Sequence, residues 1–128
     1  MKGEDEMEEN IRIADQWTTK VNEKDIRGVL EVSDPHIELI GPRGAAEGHD
    51  ILQQWIQESG IHMKTQGYYA KGDEVICIQE ATWEDQNGHV TIYTYMEIKN
   101  GKVHRLGRYD TLDDAFGQCR LNEEDKVE

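Results

Sequence analysis

The chain has 128 residues, with 27 acidic side chains against 14 from Lys and Arg, so its formal net charge is -13. This length is typical of one domain, and a chain of this size buries enough surface to fold without disulfides or a structural metal. Because the sequence contains no basic stripe that would attract phosphate groups, we expect neither nucleic acid nor a membrane as a partner.

The first part of the sequence has the hydrophobic period of helices. Apolar residues recur every three or four positions from about residue 5 to 22, which predicts an amphipathic helix. Asp25 can cap a second, shorter helix that ends before Pro35, because the residue preceding a proline is pushed out of the helical region. A third helix is predicted over 50–59, with Gly60 ending it.

The rest of the sequence has the pattern of strands. A short strand is predicted over 36–40, and the glycine-rich residues 41–48 predict a loop or a small hairpin. Asn100-Gly101 is a strong hairpin signal, because both central residues of the turn need a positive φ. Four longer strands are predicted over 61–70, 74–84, 89–99 and 102–111.

These elements predict an α+β fold. Long antiparallel strands tend to bend, so we expect a curved, mostly antiparallel sheet whose concave face is covered by the three N-terminal helices, forming a cone. The single domain spans residues 1–128, with an ordered core over about 8–117 and acidic, flexible ends.

The cysteines and the N-terminus favour a cytoplasmic location. Cys77 and Cys119 form no C-x-x-C pair, which predicts two free thiols in a reducing compartment. Residues 1–9 are acidic, unlike a signal peptide, and no apolar stretch approaches the roughly 18 residues that cross a bilayer.

Three short motifs resemble the NTF2-like superfamily, which includes SnoaL-like polyketide cyclases, limonene epoxide hydrolases and ketosteroid isomerases. NGKV at 100–103 and RYDTL at 108–112 are similar to its closing strand and final short helix. GHDI at 48–51, followed by Trp55, is similar to the opening of its third helix. The resemblance covers about residues 8–117 and implies the same cone, with a small, mostly apolar molecule bound at its mouth.

The resemblance also implies a homodimer packed sheet to sheet. Tyr93 and Tyr95 share one face of their predicted strand with Thr91 and Glu97, whereas the opposite face is apolar. If helices cover only the apolar face, the aromatic and polar face must meet something else, and a second copy of the chain is the favoured candidate.

Asp110 and Glu80 are the candidate acid–base residues. Asp110 matches the closing aspartate of the epoxide hydrolases, and Glu80 falls near their other aspartate, but their arginine position falls on Ile78. The segment from Lys102 to Asp110 is one residue shorter than in that family, and a one-residue slip turns a side chain to the other face of a strand. The epoxide hydrolase set is therefore incomplete, and the sequence leaves the direction of Asp110 open.

Two interpretations of this pair stay open. Both carboxylates could lie in an apolar cone, where mutual repulsion and burial would keep one protonated at neutral pH and ready for acid–base work. Alternatively, Glu80 faces solvent and Asp110 caps the short terminal helix. Five further side chains are candidates for binding a ligand: Trp17, His36, Trp55, Tyr95 and Arg108.

The favoured function is a small-molecule-binding NTF2-like domain of unassigned role, with a small apolar or carbonyl compound in the cone. The alternative is a cofactor-free isomerase, dehydratase or cyclase that uses Asp110 or Glu80 as acid or base. A second alternative is a dimeric protein-interaction module whose cone is filled by Trp17, Trp55 and Trp83. We expect no cofactor, and the spacing of His, Cys and carboxylates predicts no metal site.

Overall fold

Helices and strands follow the predicted order. The computed structural model describes residues 2–41, 44–84 and 87–127, and the elements below lie within them. The helices are α1 (Lys2–Asn22), α2 (Ile26–Glu31), α3 (His49–Ser59) and α4 (Leu112–Phe116). The strands are β1 (Ser33–Gly41), β2 (Gly44–Glu47), β3 (Ile61–Lys71), β4 (Glu74–Trp83), β5 (Val90–Lys99) and β6 (Lys102–Tyr109).

The strands form one six-stranded sheet in the order β2-β1-β6-β5-β4-β3. Every neighbouring pair is antiparallel except β1 and β6, which run parallel. The first and last long strands of the chain therefore lie side by side, and β2 extends the sheet at that edge. This architecture confirms the predicted α+β class with a mostly antiparallel sheet.

The main core lies between the helices and one face of the sheet, which we call the concave face. Helix α1 packs on β3 to β6, and α2 and α3 pack on β1. The inner stripe of α1 is fully buried, with Ala14, Trp17 and Val21 at most 2 % exposed. The apolar period of the first helix thus faces the sheet, as the sequence predicts.

The region around Pro35 differs from the predicted boundaries. Helix α2 begins after Asp25, whose carboxylate accepts a hydrogen bond from Gly28 N at 3.0 Å, but it ends at Glu31 and β1 already starts at Ser33. The pairing of β1 with β6 then shifts between Ser33 and Glu38. Pro35 has no N–H to donate to the ladder, so it fits within this irregular stretch of the strand.

The glycine-rich segment forms the small hairpin. Strands β1 and β2 pair antiparallel, with Leu39 opposite Ala46 and Ile40 opposite Ala45. The predicted turn at residues 42 and 43 lies outside the described residues.

The opposite, convex face of the sheet is covered in part by the C-terminal segment, residues 110–127. A second cluster of buried residues forms there from Ile76, Tyr95, Ala115 and Leu121. The end of the segment pairs with the edge of β3, where the backbone N–H of Val127 donates to the carbonyl of Tyr68 at 2.9 Å. Part of the aromatic face that predicted a dimer is therefore covered by the chain itself, and the core extends beyond residue 117.

Leu121→Ala should lower the free energy of unfolding by about 2–5 kcal/mol, because it removes a side chain that is 4 % exposed and leaves a cavity on the convex face. Urea denaturation followed by circular dichroism measures the loss. Arg120→Ala is the matched control, since the Arg120 side chain is exposed and a change of less than about 0.5 kcal/mol is expected. An equally small effect of Leu121→Ala would contradict the packing of this segment.

Candidate ligand-binding site

A cavity of about 550 Å³ opens between the concave face, α1, α3 and the β1–β2 hairpin. Most of its lining is apolar, and the two polar side chains are Thr94 and Arg108. The apolar lining side chains are Trp17, Leu39, Ile40, Ala45, Ala46, Ile51, Trp55, Met63 and Leu106. Ile51 is 43 % exposed at this opening, although most large apolar residues of the described chain are buried or half-buried.

One wall of the cavity is a pair of stacked tryptophans. The rings of Trp17 and Trp55 have centroids 6.2 Å apart and planes inclined by 17°. The indole N–H of Trp17 donates to Ser33 Oγ at 3.1 Å, and Ser33 Oγ donates to the carbonyl of Val29 at 2.7 Å. Because this N–H is already bonded within the protein, Trp17 offers a ligand only the apolar surface of its ring.

Arg108 and Thr94 form the polar end of the cavity. They are opposite each other on β6 and β5, so both side chains project from the concave face. The guanidinium of Arg108 lies over the ring of Trp83, 5.8 Å from its centroid, within the distance of a cation–π contact. Among the described residues, no carboxylate forms an ion pair with Arg108.

A bulge in β6 directs Arg108 inward. Val103 is opposite Ile98, whereas Arg105 is opposite Glu97, so β6 contains one extra residue, His104, between these pairs. Beyond the bulge, Leu106 and Arg108 lie on the concave face, and Arg105 lies on the convex face. Had β6 continued the regular alternation from Val103 without this bulge, Leu106 and Arg108 would lie on the convex face.

A buried polar chain supports the polar end. Thr94 Oγ1 donates to Gln79 Oε1 at 2.7 Å, and Gln79 Nε2 donates to Thr18 Oγ1 at 3.3 Å and to Thr65 Oγ1 at 3.1 Å. Thr18 Oγ1 in turn donates to the carbonyl of Ala14 at 2.9 Å. Gln79 is 0 % exposed and Thr94 is 3 % exposed, so the chain satisfies groups that water does not reach.

Sequence reasoning missed Gln79 and Thr94. The alternation of β4 contained the signal, because Gln79 shares its face with the apolar residues Val75, Cys77 and Ala81, all of them buried. The match with a family aspartate points instead to Glu80, which follows Gln79 in β4 and therefore lies on the opposite face of the strand.

The structure does not bring Asp110 and Glu80 together in the cavity. Glu80 lies on the convex face of β4, with its Oε2 3.0 Å from Nδ1 of His89. Asp110 is exposed just after β6, and Thr111 rather than Asp110 caps α4 by accepting a hydrogen bond from Asp114 N. Neither carboxylate lines the cavity, and no other carboxylate does so among the described residues.

Three of the five predicted ligand-binding side chains line the cavity, namely Trp17, Trp55 and Arg108. His36 is exposed on the outer side of β1, with its Nδ1 3.3 Å from Glu47 Oε1. Tyr95 is buried on the convex face and donates to Glu74 Oε2 at 2.7 Å. Burial is the main cause, and this hydrogen bond the second, that raises the pKa of Tyr95, so the side chain stays a neutral phenol. Its ring belongs to the buried cluster that includes Ala115 and Leu121 of the C-terminal segment.

Among the residues that the structure describes, the remaining reactive side chains do not form a second site. Cys77 and Cys119 are free thiols, and complete burial raises the pKa of Cys77 well above its ordinary value. Within residues 2–41, 44–84 and 87–127, no three His, Cys, Asp or Glu side chains cluster as metal ligands would. In the same ranges, no helix is both long and apolar enough to span a bilayer.

Comparison with solved structures identifies the fold. An NTF2-like protein of unknown function from Cytophaga hutchinsonii has a TM-score of 0.71 and 12 % sequence identity, over 84 % of this chain and 94 % of that one. An NTF2-like protein from Burkholderia xenovorans has a TM-score of 0.64 and 20 % identity, over 80 % and 89 %. A computationally designed 17-OHP binder has a TM-score of 0.70 and 17 % identity, over 82 % and 92 %.

The chain therefore has the NTF2-like fold, which confirms the resemblance seen in the sequence. No protein-family model matches the sequence, and neither does any curated protein. At these identities the structural likeness establishes the fold, so the function has to be argued from the cavity itself.

Proposed function

We propose that this chain is a small-molecule-binding NTF2-like domain whose cavity holds an apolar compound bearing a carbonyl or carboxylate oxygen. The observation that carries the proposal is the composition of the cavity wall. Nine apolar side chains surround the cavity, and a single cation, Arg108, lies among the described lining residues. The apolar part of the ligand would pack against the apolar lining of the cavity, and the ligand oxygen would accept hydrogen bonds from the Arg108 guanidinium.

The size of the cavity supports this class of ligand. Its volume of about 550 Å³ lies within the range of roughly 300–1,000 Å³ that is usual for small-molecule sites. The same fold holds a small molecule in the designed 17-OHP binder. The stacked pair Trp17 and Trp55 leaves the cavity open rather than filling it, which favours binding over the alternative of a plugged interaction module.

The cavity supports binding better than acid–base catalysis. An isomerase or dehydratase of the kind considered from the sequence needs a carboxylate beside the ligand, and Asp110 and Glu80 both lie elsewhere. Arg108 can neutralise a ligand oxygen, but a guanidinium has only N–H donors and no acceptor for a proton, so it cannot serve as the base.

Assembly and location are part of the proposal. The part of the convex face that the C-terminal segment leaves uncovered is where a homodimer would pack sheet to sheet. The free thiols Cys77 and Cys119 fit a reducing cytoplasm. Sedimentation analysis of the purified protein measures the assembly, and a monomer at micromolar concentration would remove the dimer from the proposal.

Titration with 3-(2-naphthyl)propanoate, an apolar bicyclic body with one carboxylate, tests the binding function. We expect saturable one-site binding by calorimetry, and no binding of 2-(2-naphthyl)ethylammonium, whose cation Arg108 would repel. Ala46→Phe should weaken binding of the propanoate at least about 10-fold, because Ala46 is opposite Leu39 on the cavity side of the hairpin and a ring there occupies ligand space.

Glu47→Phe is the matched control on the same short strand. Glu47 is exposed and faces the other side of the hairpin, opposite Glu38, so its substitution should leave the affinity unchanged. Both positions are exposed, and both variants should therefore keep the melting temperature of the wild type. Equal affinities in the wild type and in Ala46→Phe would show that the ligand binds outside this cavity.

A further inference from the structure

The lining of the cavity includes an exposed rim and a buried floor. We call the exposed lining residues the rim, and they are Gly41, Gly44, Ala45, Ala46, Ile51 and Arg108. We call the buried lining residues the floor, and they are Trp17, Met63, Thr94 and Gly107. The one cation among the described lining residues therefore belongs to the rim.

The ends of the strands explain why Arg108 is exposed. Arg108 is the second-to-last residue of β6, and the neighbouring strand β1 ends at Gly41. Because β1 and β6 run parallel, with Ile40 opposite Gly107, both strands end at the same edge of the sheet. Strand β4 also ends at this edge, with Trp83, whose ring lies under the Arg108 guanidinium. The rim of the cavity thus lies at this edge of the sheet.

The side chains of the floor have no N–H or O–H left to donate to a ligand. The indole N–H of Trp17 donates to Ser33 Oγ at 3.1 Å, and Thr94 Oγ1 donates to Gln79 Oε1 at 2.7 Å. The side chain of Met63 has no such group. A ligand oxygen brought to the floor would therefore lose its hydrogen bonds to water without a replacement, which is unfavourable.

We infer that the ligand lies with its apolar end on the floor and its carbonyl group at the rim, and that the cavity therefore accepts acyl groups joined through this carbonyl to a larger carrier, as amides or thioesters. The inference rests on the proposed function, since it concerns the ligand of the same cavity. The Arg108 guanidinium can donate to the carbonyl oxygen of an amide or thioester as it does to a carboxylate. Because Arg108 is exposed, a group attached beyond the carbonyl extends into solvent.

Three amides of 3-(2-naphthyl)propanoic acid test this orientation. The first is the N-methyl amide, and the second carries a tetra(ethylene glycol) chain on the amide nitrogen. The third is the N-methyl amide with the same chain on carbon 6 of the naphthalene, at the far end of the ring system. In calorimetric titrations, the first two should bind within about twofold of each other, because the chain of the second extends into solvent. The third should bind at least about 10-fold more weakly, because its chain would be forced onto the apolar floor or would pull the carbonyl away from Arg108.

Two variants of the hairpin show whether the second amide occupies the cavity. Ala46→Phe should weaken its binding at least about 10-fold, as it does for the acid, whereas Glu47→Phe on the opposite side of the hairpin should leave it unchanged. Both positions are exposed, so both variants should keep the melting temperature of the wild type. A second amide that is insensitive to Ala46→Phe would bind outside the cavity, and the inference would then be wrong.

The outcomes distinguish this inference from the proposed function. If the acid binds and the second amide does not, the cavity excludes groups beyond the carbonyl, which overturns the inference and leaves the binding function standing. Equal affinities of the second and third amides would also overturn it, because the ligand would then have no fixed orientation. Failure of the acid and all three amides to bind would overturn the proposed function and the inference with it.

Discussion

Gln79→Glu should destabilise the fold by about 5 kcal/mol at pH 7. Gln79 is 0 % exposed, and its partners are the hydroxyls of Thr18, Thr65 and Thr94 rather than a cation. Burial without a positive partner raises the pKa of the introduced carboxyl in the folded state far above its unfolded value of about 4.3. Keeping it protonated at pH 7 then costs about 1.4 kcal/mol for each pH unit above the unfolded pKa.

The sign of the pH dependence follows from the raised pKa. The folded state binds the proton more tightly than the unfolded state, so the penalty grows as the pH rises from about 4.3 towards the folded-state pKa, and it shrinks as the pH falls towards about 4.3. Below that value both states are protonated, and only the loss of one hydrogen bond, about 1 kcal/mol, should remain. Urea denaturation of the variant and the wild type between pH 4 and pH 8 measures the difference.

Gln16→Glu is the matched control for this substitution. Gln16 is exposed on α1, so the same chemical change there should alter the free energy of unfolding by less than about 0.5 kcal/mol at any of these pH values. A penalty at Gln79 that does not depend on pH would mean that loss of packing, and not burial of charge, causes it.

Arg108→Met should weaken binding of 3-(2-naphthyl)propanoate about 10- to 100-fold. The substitution keeps much of the apolar stem and removes the one cation among the described lining residues of the cavity. Hydrogen bonds to a charged group contribute about 1.5–3 kcal/mol, and each 1.4 kcal/mol is a factor of ten in affinity. The contact with Trp83 holds the guanidinium over an aromatic ring before the ligand arrives, which reduces the entropy lost on binding.

Arg105→Met is the control for the loss of a positive charge from the same strand. Arg105 lies on the convex face, where its Nε is 3.0 Å from Glu38 Oε1, so its removal should leave the affinity within about twofold of the wild type, since it contacts no ligand. Calorimetric titrations of the two variants make the comparison. Equal weakening in both would show that net charge, rather than contact in the cavity, governs binding.

Local patterns in the sequence determined most of the elements. Asn100 and Gly101 both have positive φ, 54° and 74°, and they form the hairpin turn that this dipeptide predicts. Gly60 takes the left-handed conformation, with φ of 59°, and ends α3 as expected. Such signals are reliable because a turn or a helix end depends on the conformation of one or two residues and on contacts with close neighbours in the chain.

The apolar walls of the site could be predicted for a related reason. Trp17 and Trp55 lie at core positions of helices whose period is visible in the sequence, and the cone implied by the resemblance places those faces towards the sheet. The sequence predicts Arg108 as a ligand-binding residue, but the direction of its side chain depends on the bulge at His104. The tertiary pairing of β5 and β6 decides that direction.

Only the tertiary structure decided which buried polar groups meet behind the cavity. The role of Gln79 depends on its hydrogen bonds with Thr18, Thr65 and Thr94. These three residues lie on three other elements, and no spacing in the sequence predicts that they converge. A strand pattern shows which residues share a face, but a single extra residue exchanges the faces, and its presence depends on the partner strand. The sequence by itself therefore determined the elements and the apolar surface of this protein, whereas the long-range pairing of β5 with β6 decided that Arg108 lines the cavity.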